Sequence, residues 1–461
     1  MSTSKFPVSD RVAPELEKSS DVWSVFSPLA GHVPKDALNL GQGFMNWAPA
    51  DFIRKAHSDA LEVVGNNHYQ LPRGSAHLRQ ALSKYLSPSF KRGRELDPNT
   101  EIQVTAGANE GMYAFASAFT RPGDEVIIFE PFFDQYVPQI TFNGGVPVYV
   151  PIRAPEEAST SNVPASSWKI DFDELRRAIT PKTKQIWVNT PHNPVGKVFD
   201  EEELIEIGKI AEEHNLIIVS DEVYDCLTFE GRQHLRIASL SEELWQRTIT
   251  IGSAGKSFSA TGWRVGWAIG PAHLVQPMTA AHTRIVFCVN GPAQEATATG
   301  IEKALENGFF DEQREAYEER KNVLLEGLDK LGLPYTVPHG AYFVLVNTSR
   351  LQIPEDFEIP KLIEGRARDW VCAWFIAQTA KVVFSEPTSS RAHDTYWSTR
   401  FHHPYRTDSI LSSAVPPTEF YSKEHWSLGE NWIRVAFCKD PDTLRQATER
   451  LLALKPYIKD A

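Results

Sequence analysis

The chain has 461 residues, 42% apolar, 23% charged and 11% aromatic, with a net charge of −12. That length buries a large core and calls for more than one domain or subdomain, with a composition ordinary for a globular protein. The acidic balance argues against a nucleic-acid backbone or an anionic membrane as the main partner, and no apolar run approaches the roughly 18–20 residues that cross a bilayer.

Four cysteines (Cys226, Cys288, Cys372 and Cys438) lie far apart with no C-x-x-C pair. They fit a reduced, cytoplasmic compartment and neither a disulfide framework nor a zinc site. Residues 1–21 mix Asp10, Glu15, Glu17 and Asp21 with Lys5, Arg11 and Lys18. A transit peptide is acid-poor and arginine-rich, so a plain surface leader is expected.

Taken in order, Asp21–Phe26 has apolar residues at helical spacing, and Leu38–Phe44 reads as a short strand entering a turn flanked by Gly41 and Gly43. Two glycines so close let a backbone approach a ligand, although an ordinary turn explains them equally. An amphipathic helix is expected over Ser75–Tyr85. A strand over Ile102–Thr105 then meets Gly107, Ala108 and Asn109 before an Ala-rich helix to Phe119. Strand, glycine turn and helix leave free backbone N–H groups where an anion binds.

Strands follow over Asp124–Phe129, Ile186–Asn189 and Leu216–Ser220, with a helix over Glu201–Asn215. Phe133 lies just past the first of these strands, as a core residue or a ring-stacking one. Asn193 stands between Pro191 and Pro194, a stiff turn suited to a fixed donor. Asp221, with Tyr224 shortly after, follows a strand where α/β sheets place functional groups, although Asp is also a common helix cap. Strands alternating with helices from about 100 to 270 imply a mostly parallel sheet covered on both faces. A long helical segment over Gln294–Leu333 leads away from it, and strand patterning resumes at His339–Val346. No internal repeat is visible.

The most informative stretch is Ser253–Trp267, which follows a strand over Thr248–Ile251. Gly255-Lys256-Ser257 mimics the end of a phosphate loop, but such a loop needs a glycine five positions before Gly255, where Thr250 stands. A solvated loop lysine is one reading of Lys256. The other is a carbonyl-trapping amine set among small residues, with Ser253 and Arg264 near a phosphate tail.

The S-x-x-K-x-x-x-x-x-G-x-R-x-G pattern of this stretch resembles the pyridoxal-phosphate lysine motif of class I aminotransferases. Further matches extend the resemblance from about Trp23 to Leu452. They are Asn39–Phe44, Glu130–Tyr136, Asn189–Phe199, Ser220–Tyr224, Gly252–Phe258, Pro417–Tyr421 and Ile433–Asp440. The chain is similar to the kynurenine–oxoglutarate transaminase and cysteine-conjugate β-lyase family, its fungal members above all.

The resemblance implies an α/β fold of type I. A large domain (51–325) would carry a mostly parallel seven-stranded sheet between helices, joined by an N-terminal arm (1–50) and a smaller α/β domain (326–461). Pyridoxal 5'-phosphate would be the cofactor, and an amino acid and a 2-oxo acid the substrates. Lys256 would bind the cofactor and then act as base, Asp221 would pair with the ring nitrogen, and Asn193 and Tyr224 would bond the phenolic oxygen. Phe133 would stack on the ring. Gly107, Ala108, Asn109, Ser253 and Arg264 would anchor the phosphate, joined by Tyr69 from the other subunit of a homodimer. Arg434 would hold the substrate carboxylate with Gly41 and Asn193, and Trp23 would line the side-chain pocket.

The expected activity is transamination of kynurenine with 2-oxoglutarate. The alternatives are β-elimination from cysteine conjugates, a broad aromatic or glutamine transaminase, and a non-catalytic binding or regulatory protein. Related enzymes often carry Phe-His where this chain has Phe287-Cys288, which bears on amino-acid preference.

Residues 384–413 interrupt the family pattern, since joining Val383 to Ala414 restores it. The stretch has no lysine and no sustained period, far beyond the roughly 12–15 residues usual for a structureless loop. A lid, a surface insertion and a translated short intron all account for it. The intron reading expects the mature transcript to lack these codons and their deletion to preserve folding and activity. A transcript that retains them revives the lid.

Overall fold

Val126, Ile127, Ile128 and Phe129 form a run with no polar face, and all four side chains are buried. Such a strand is stable only inside a sheet covered on both sides. A computed structural model describes Ser9, Arg11 and residues 33–383 and 416–459. The helical pattern at 21–26 and the interrupting stretch 384–413 lie outside the described residues.

In chain order the strands are β1 (Leu38–Asn39), β2 (Ile102–Thr105), β3 (Glu125–Glu130), β4 (Val146–Arg153) and β5 (Val163–Pro164). Next come β6 (Lys169–Ile170), β7 (Thr183–Asn189), β8 (Ile217–Asp221), β9 (Thr248–Ser253) and β10 (Gly266–Ile269). The last are β11 (Thr336–Val337), β12 (Phe343–Asn347), β13 (Val382–Val383) and β14 (Trp432–Ala436).

The main sheet has the order β2-β10-β9-β8-β7-β3-β4-β6. From β9 to β4 neighbouring strands are parallel, whereas β10 runs antiparallel to both its neighbours. The seven expected strands are therefore present, with the two-residue β6 added antiparallel at one edge. Elsewhere β12 pairs antiparallel with β14, and β1 pairs parallel with β13.

Helices close both faces. The one over Ala76–Phe90 starts on Ser75, whose Oγ accepts from Leu78 N, and runs past the expected end at Tyr85. The helix Glu201–Glu213 opens with a reciprocal cap between Asp200 and Glu203.

The long helix expected over Gln294–Leu333 is two helices, Gly291–Asn307 and Phe309–Leu331. They are divided at Gly308, which has φ +73° and ends the first while starting the second. Left-handed backbone is nearly free for glycine and breaks a helix, so amphipathic patterning carried across a break it could not register. The first helix packs on Asp51–Glu62, and a Cβ on Gly300 would lie 2.7 Å from Ile53 Cδ1. The second packs on Pro441–Leu451, close enough that a Cβ on Gly327 would meet Thr448 Cβ at 2.2 Å. Among the described residues no helix is long and apolar enough to cross a membrane.

Candidate active site

Because β2, β3, β7, β8 and β9 all run in one direction, their carboxyl ends meet at one edge of the sheet. There Asp221 is in register with Asn189 on one side and Ile251 on the other. Asn189 ties two elements together. Its Nδ2 donates to Asp221 O at 3.0 Å, and its Oδ1 accepts from Asn193 N at 2.7 Å, fixing the turn that carries Asn193.

Asp221 is 5% exposed and has no cationic partner among the described residues. Tyr136 Oη donates to its Oδ2 at 2.5 Å and Val223 N to its Oδ1 at 3.4 Å. Burial pushes the carboxyl up to about 6 in spite of these bonds. Phe133 meets Tyr136 edge-on, with ring centroids 5.7 Å apart, and Tyr224 is buried beside Tyr342 at 5.0 Å.

Lys256 sits in the four-residue helix Ala254–Ser257 that continues directly from β9. A cleft leaves it partly open to solvent, yet it lies deep enough for desolvation to lower its ammonium to about 8. Among the described residues it too has no ion-pair partner, although Asp221 lies within electrostatic reach. Its Nζ lies 2.7 Å from Tyr342 Oη and 3.5 Å from Gly43 O.

Beside it the helix Ala108–Phe119 begins at Gly107, φ +84°, with no side chain capping its first N–H groups. A Cβ on Gly107 would meet Arg264 Nη2 at 2.5 Å, and one on Gly266 would meet Ala108 N at 2.7 Å. The bare backbone, Arg264 and the neighbouring Ser253 thus form a cup suited to an anion. Asn109 is turned aside, its Oδ1 accepting from Gln139 at 2.5 Å.

Arg434 enters from β14 and is 7% exposed. Its Nη1 donates to Asn193 Oδ1 and its Nη2 to Gly41 O, each at 3.1 Å, while Nε is buried without a partner. The guanidinium lies 4.4 Å from the centroid of the Phe343 ring and 5.0 Å from that of Phe420. No carboxylate pairs with it among the described residues.

Lys256, Asp221, Asn193, Tyr224, Arg434, Gly41, Phe133 and the Gly107 cup therefore surround one cleft. Tyr69 does not join them in the single chain: it is 88% exposed and packs edge-on against Phe287, at 5.5 Å. Trp23 lies outside the described residues.

Two groups escaped the sequence reading. Tyr136 stands within the Glu130–Tyr136 motif but passes as core, and Tyr342 is hidden in the apolar run that becomes β12. Only the paired glycine and aromatic of Gly340-Ala341-Tyr342 hinted at a close approach.

The donor set fits pyridoxal phosphate on physical grounds. An anion cup, an unpaired amine of lowered basicity and a buried carboxylate lacking a cation match its phosphate, aldehyde and ring nitrogen. The unpaired Asp221 also has a cost. Its carboxyl titrates near 3.9 when unfolded and about 6 when folded, so the folded state binds the extra proton and stability falls as pH rises through that window. In the cofactor-free protein Asp221→Asn is expected to melt higher than the parent at pH 8, by up to about 3 kcal/mol. The difference should close toward pH 4, a result thermal melts at the two pH values check directly.

The chain matches the family "Aminotransferase class I and II" over residues 35–451. It is 41% identical to a Saccharomyces cerevisiae protein named "Probable kynurenine--oxoglutarate transaminase", over 95% of this chain and 93% of that one. It is 40% identical to the kynurenine–oxoglutarate transaminase of Dictyostelium discoideum, covering 94% of each. Its fold is similar to the crystal structure of Bna3p from Saccharomyces cerevisiae, with a TM-score of 0.88 over 98% of this chain and all of that one. A Thermus thermophilus aspartate aminotransferase variant, 27% identical, aligns with a TM-score of 0.76 over 97% of this chain and 100% of the other. With this match spanning most of its length and the lysine, aspartate and arginine gathered in one cleft, the chain belongs to the class I and II aminotransferases, enzymes that depend on pyridoxal phosphate.

Proposed function

We propose that this enzyme moves the amino group of kynurenine to 2-oxoglutarate, giving glutamate and, after ring closure, kynurenate. The observation that carries the reading is Arg434, a buried guanidinium whose hydrogen-bond partners among the described residues are neutral, facing the cleft that holds Lys256. Both substrates bear a carboxylate next to the reacting carbon, so one clamp serves each half-reaction in turn. The kinship with two proteins named for this reaction supports the choice of donor and acceptor.

Bound pyridoxal phosphate supplies an aldehyde and a ring that takes up the electron pair left when the substrate Cα gives up its proton. The chain supplies the rest. Arg434 holds the carboxylate in a two-pronged contact in place of Gly41 O and Asn193 Oδ1, which fixes the direction of the Cα–H bond. Lys256, uncharged in much of the population above about pH 8, accepts the Cα proton and returns it on the far side of the amino nitrogen. Asp221 holds its negative charge against the ring nitrogen, and Asn193 and Tyr224 donate to the phenolic oxygen. The oxo acid formed from kynurenine keeps an aromatic amine beside its new carbonyl, so it closes with loss of water and needs no further enzyme.

The active unit in this reading is a homodimer. Leu61, Val63, Val64, Tyr69, Leu71 and Phe287 are exposed large hydrophobic residues, several of them neighbours at the edge that carries Tyr69. A second copy would cover this face and carry Tyr69 to its phosphate cup.

Two experiments test these statements. A donor-by-acceptor screen is expected to show kynurenine with 2-oxoglutarate among the efficient pairs. Arg434→Ala should weaken both substrates by about 2–5 kcal/mol. Unchanged KM values would place the clamp elsewhere, and faster release of thiol from an S-aryl cysteine would assign the enzyme to β-elimination instead.

The dimer is tested by mixing two impaired chains. Lys256→Ala should lose at least ~10³-fold in rate, and Tyr69→Ala should bind cofactor weakly. A hybrid of the two contains one site with both residues intact, so activity returns only if Tyr69 serves the neighbouring subunit.

A further inference from the structure

Tyr342 is fully buried immediately before β12. Its ring lies edge-on to Tyr224 at 5.0 Å and parallel to Tyr317 at 6.1 Å, with an interplanar angle of 16°. Its hydroxyl lies 2.6 Å from Gly43 O and 2.7 Å from Lys256 Nζ, and it also interacts with the Tyr224 hydroxyl.

A carbonyl oxygen only accepts, so the single proton of Tyr342 is committed to Gly43 O. Toward Lys256 the phenol is therefore an acceptor. Gly43 lets the ring come this close: a Cβ there would lie 3.0 Å from Tyr342 Cε2 and 2.8 Å from Phe343 Cζ.

The amine geometry follows. A neutral lysine amine has two N–H bonds and one lone pair in tetrahedral array. One N–H is taken by Tyr342 Oη at 2.7 Å. The lone pair, set at the tetrahedral angle to that bond, is therefore turned away from Tyr342. A base that must pick up a proton from one carbon and deliver it to another gains from having that lone pair held rather than swinging on four methylenes.

We infer that Tyr342 is a positioning residue for Lys256, fixing the released ε-amine through an acceptor contact whose polarity is set by the carbonyl of Gly43.

The contact belongs to the free amine. It is therefore made in the part of the cycle when Lys256 moves protons, and it is present in the cofactor-free chain, where it can be measured without turnover. An acceptor stabilises an ammonium more than an amine, so removing it makes Lys256 less basic.

The test is Tyr342→Phe, which deletes the hydroxyl and keeps the ring between Tyr224 and Tyr317. In the cofactor-free full-length protein, pH-dependent labelling with trace acetic anhydride followed by peptide mapping reads the basicity of Lys256. Its midpoint is expected to fall from about 8 by about one pH unit. In the holoenzyme kcat should drop roughly tenfold with KM within about twofold, because the loss acts on proton transfer and not on carboxylate binding. A labelling midpoint and a kcat both unchanged in a folded variant would overturn the assignment and leave Tyr342 as packing. Should Tyr342→Phe fail to fold, 3-fluorotyrosine placed at 342 keeps the shape and weakens the acceptor. A smaller shift of the midpoint in the same direction supports the role, and no shift overturns it.

Discussion

Taking a guanidinium out of water without an opposite charge costs several kcal/mol, and Arg434 stands in that condition. Neutral oxygens hold two of its nitrogens and a third has no partner, while rings on Phe343 and Phe420 recover part of the lost hydration as cation–π contact. Asp221 and Lys256 repeat the pattern in the same cleft, each shifted by desolvation toward its neutral form. A chain tolerates three such groups only if something that binds there makes up the deficit. The charges left open match a ring cation, an aldehyde and a carboxylate.

The neighbouring residue shows that this is not general carelessness with buried charge. Glu222 directly follows Asp221 and is as deeply buried, but it accepts from Ser220 Oγ and His234 Nε2, each at 2.8 Å, and pairs with Arg236. Burial alone would raise its carboxyl, and Arg236 with His234 outweighs that and holds it low. Arg236 in turn reaches Asp225 at 2.6 Å and Ser89 Oγ at 2.6 Å, tying the strand end to the helix Ala76–Phe90. One carboxylate of the pair is thus fully satisfied and anchors the edge of the sheet. The other is left short of a partner on the side of the cleft.

What could be read from the chain follows this division. Lys256, Asp221, Asn193, Arg264 and Arg434 stand in short motifs whose chemistry is legible residue by residue, and the strands that carry them are apolar runs with clear ends. Tyr136 and Tyr342 were not legible, because an aromatic in an apolar stretch has the same pattern whether its hydroxyl meets a functional group or nothing. Gly308 was missed for a related reason. Amphipathic periodicity reports which face is buried, and it persists across a left-handed break when each helix buries a face of its own, here against Asp51–Glu62 and Pro441–Leu451. Tyr69 stands exposed in the single chain, and its neighbours in sequence carry no local signal of what would meet it.

The segment from Leu40 to Phe44 joins these observations. Its carbonyls at 40, 41, 43 and 44 are taken by groups from two parts of the chain, residues 434–439 and Tyr342. Ala436 N donates to Leu40 O at 2.7 Å, Arg434 to Gly41 O, Tyr342 to Gly43 O, and Lys439 Nζ to Phe44 O at 2.6 Å. The carboxylate clamp and the group that holds the base therefore lean on backbone two residues apart. A substrate carboxylate reaching Arg434 would compete with Gly41 O for the same nitrogen, two residues from the carbonyl that Tyr342 holds. The side chain missing at Gly43 lets that stretch pass close to Tyr342 and Phe343.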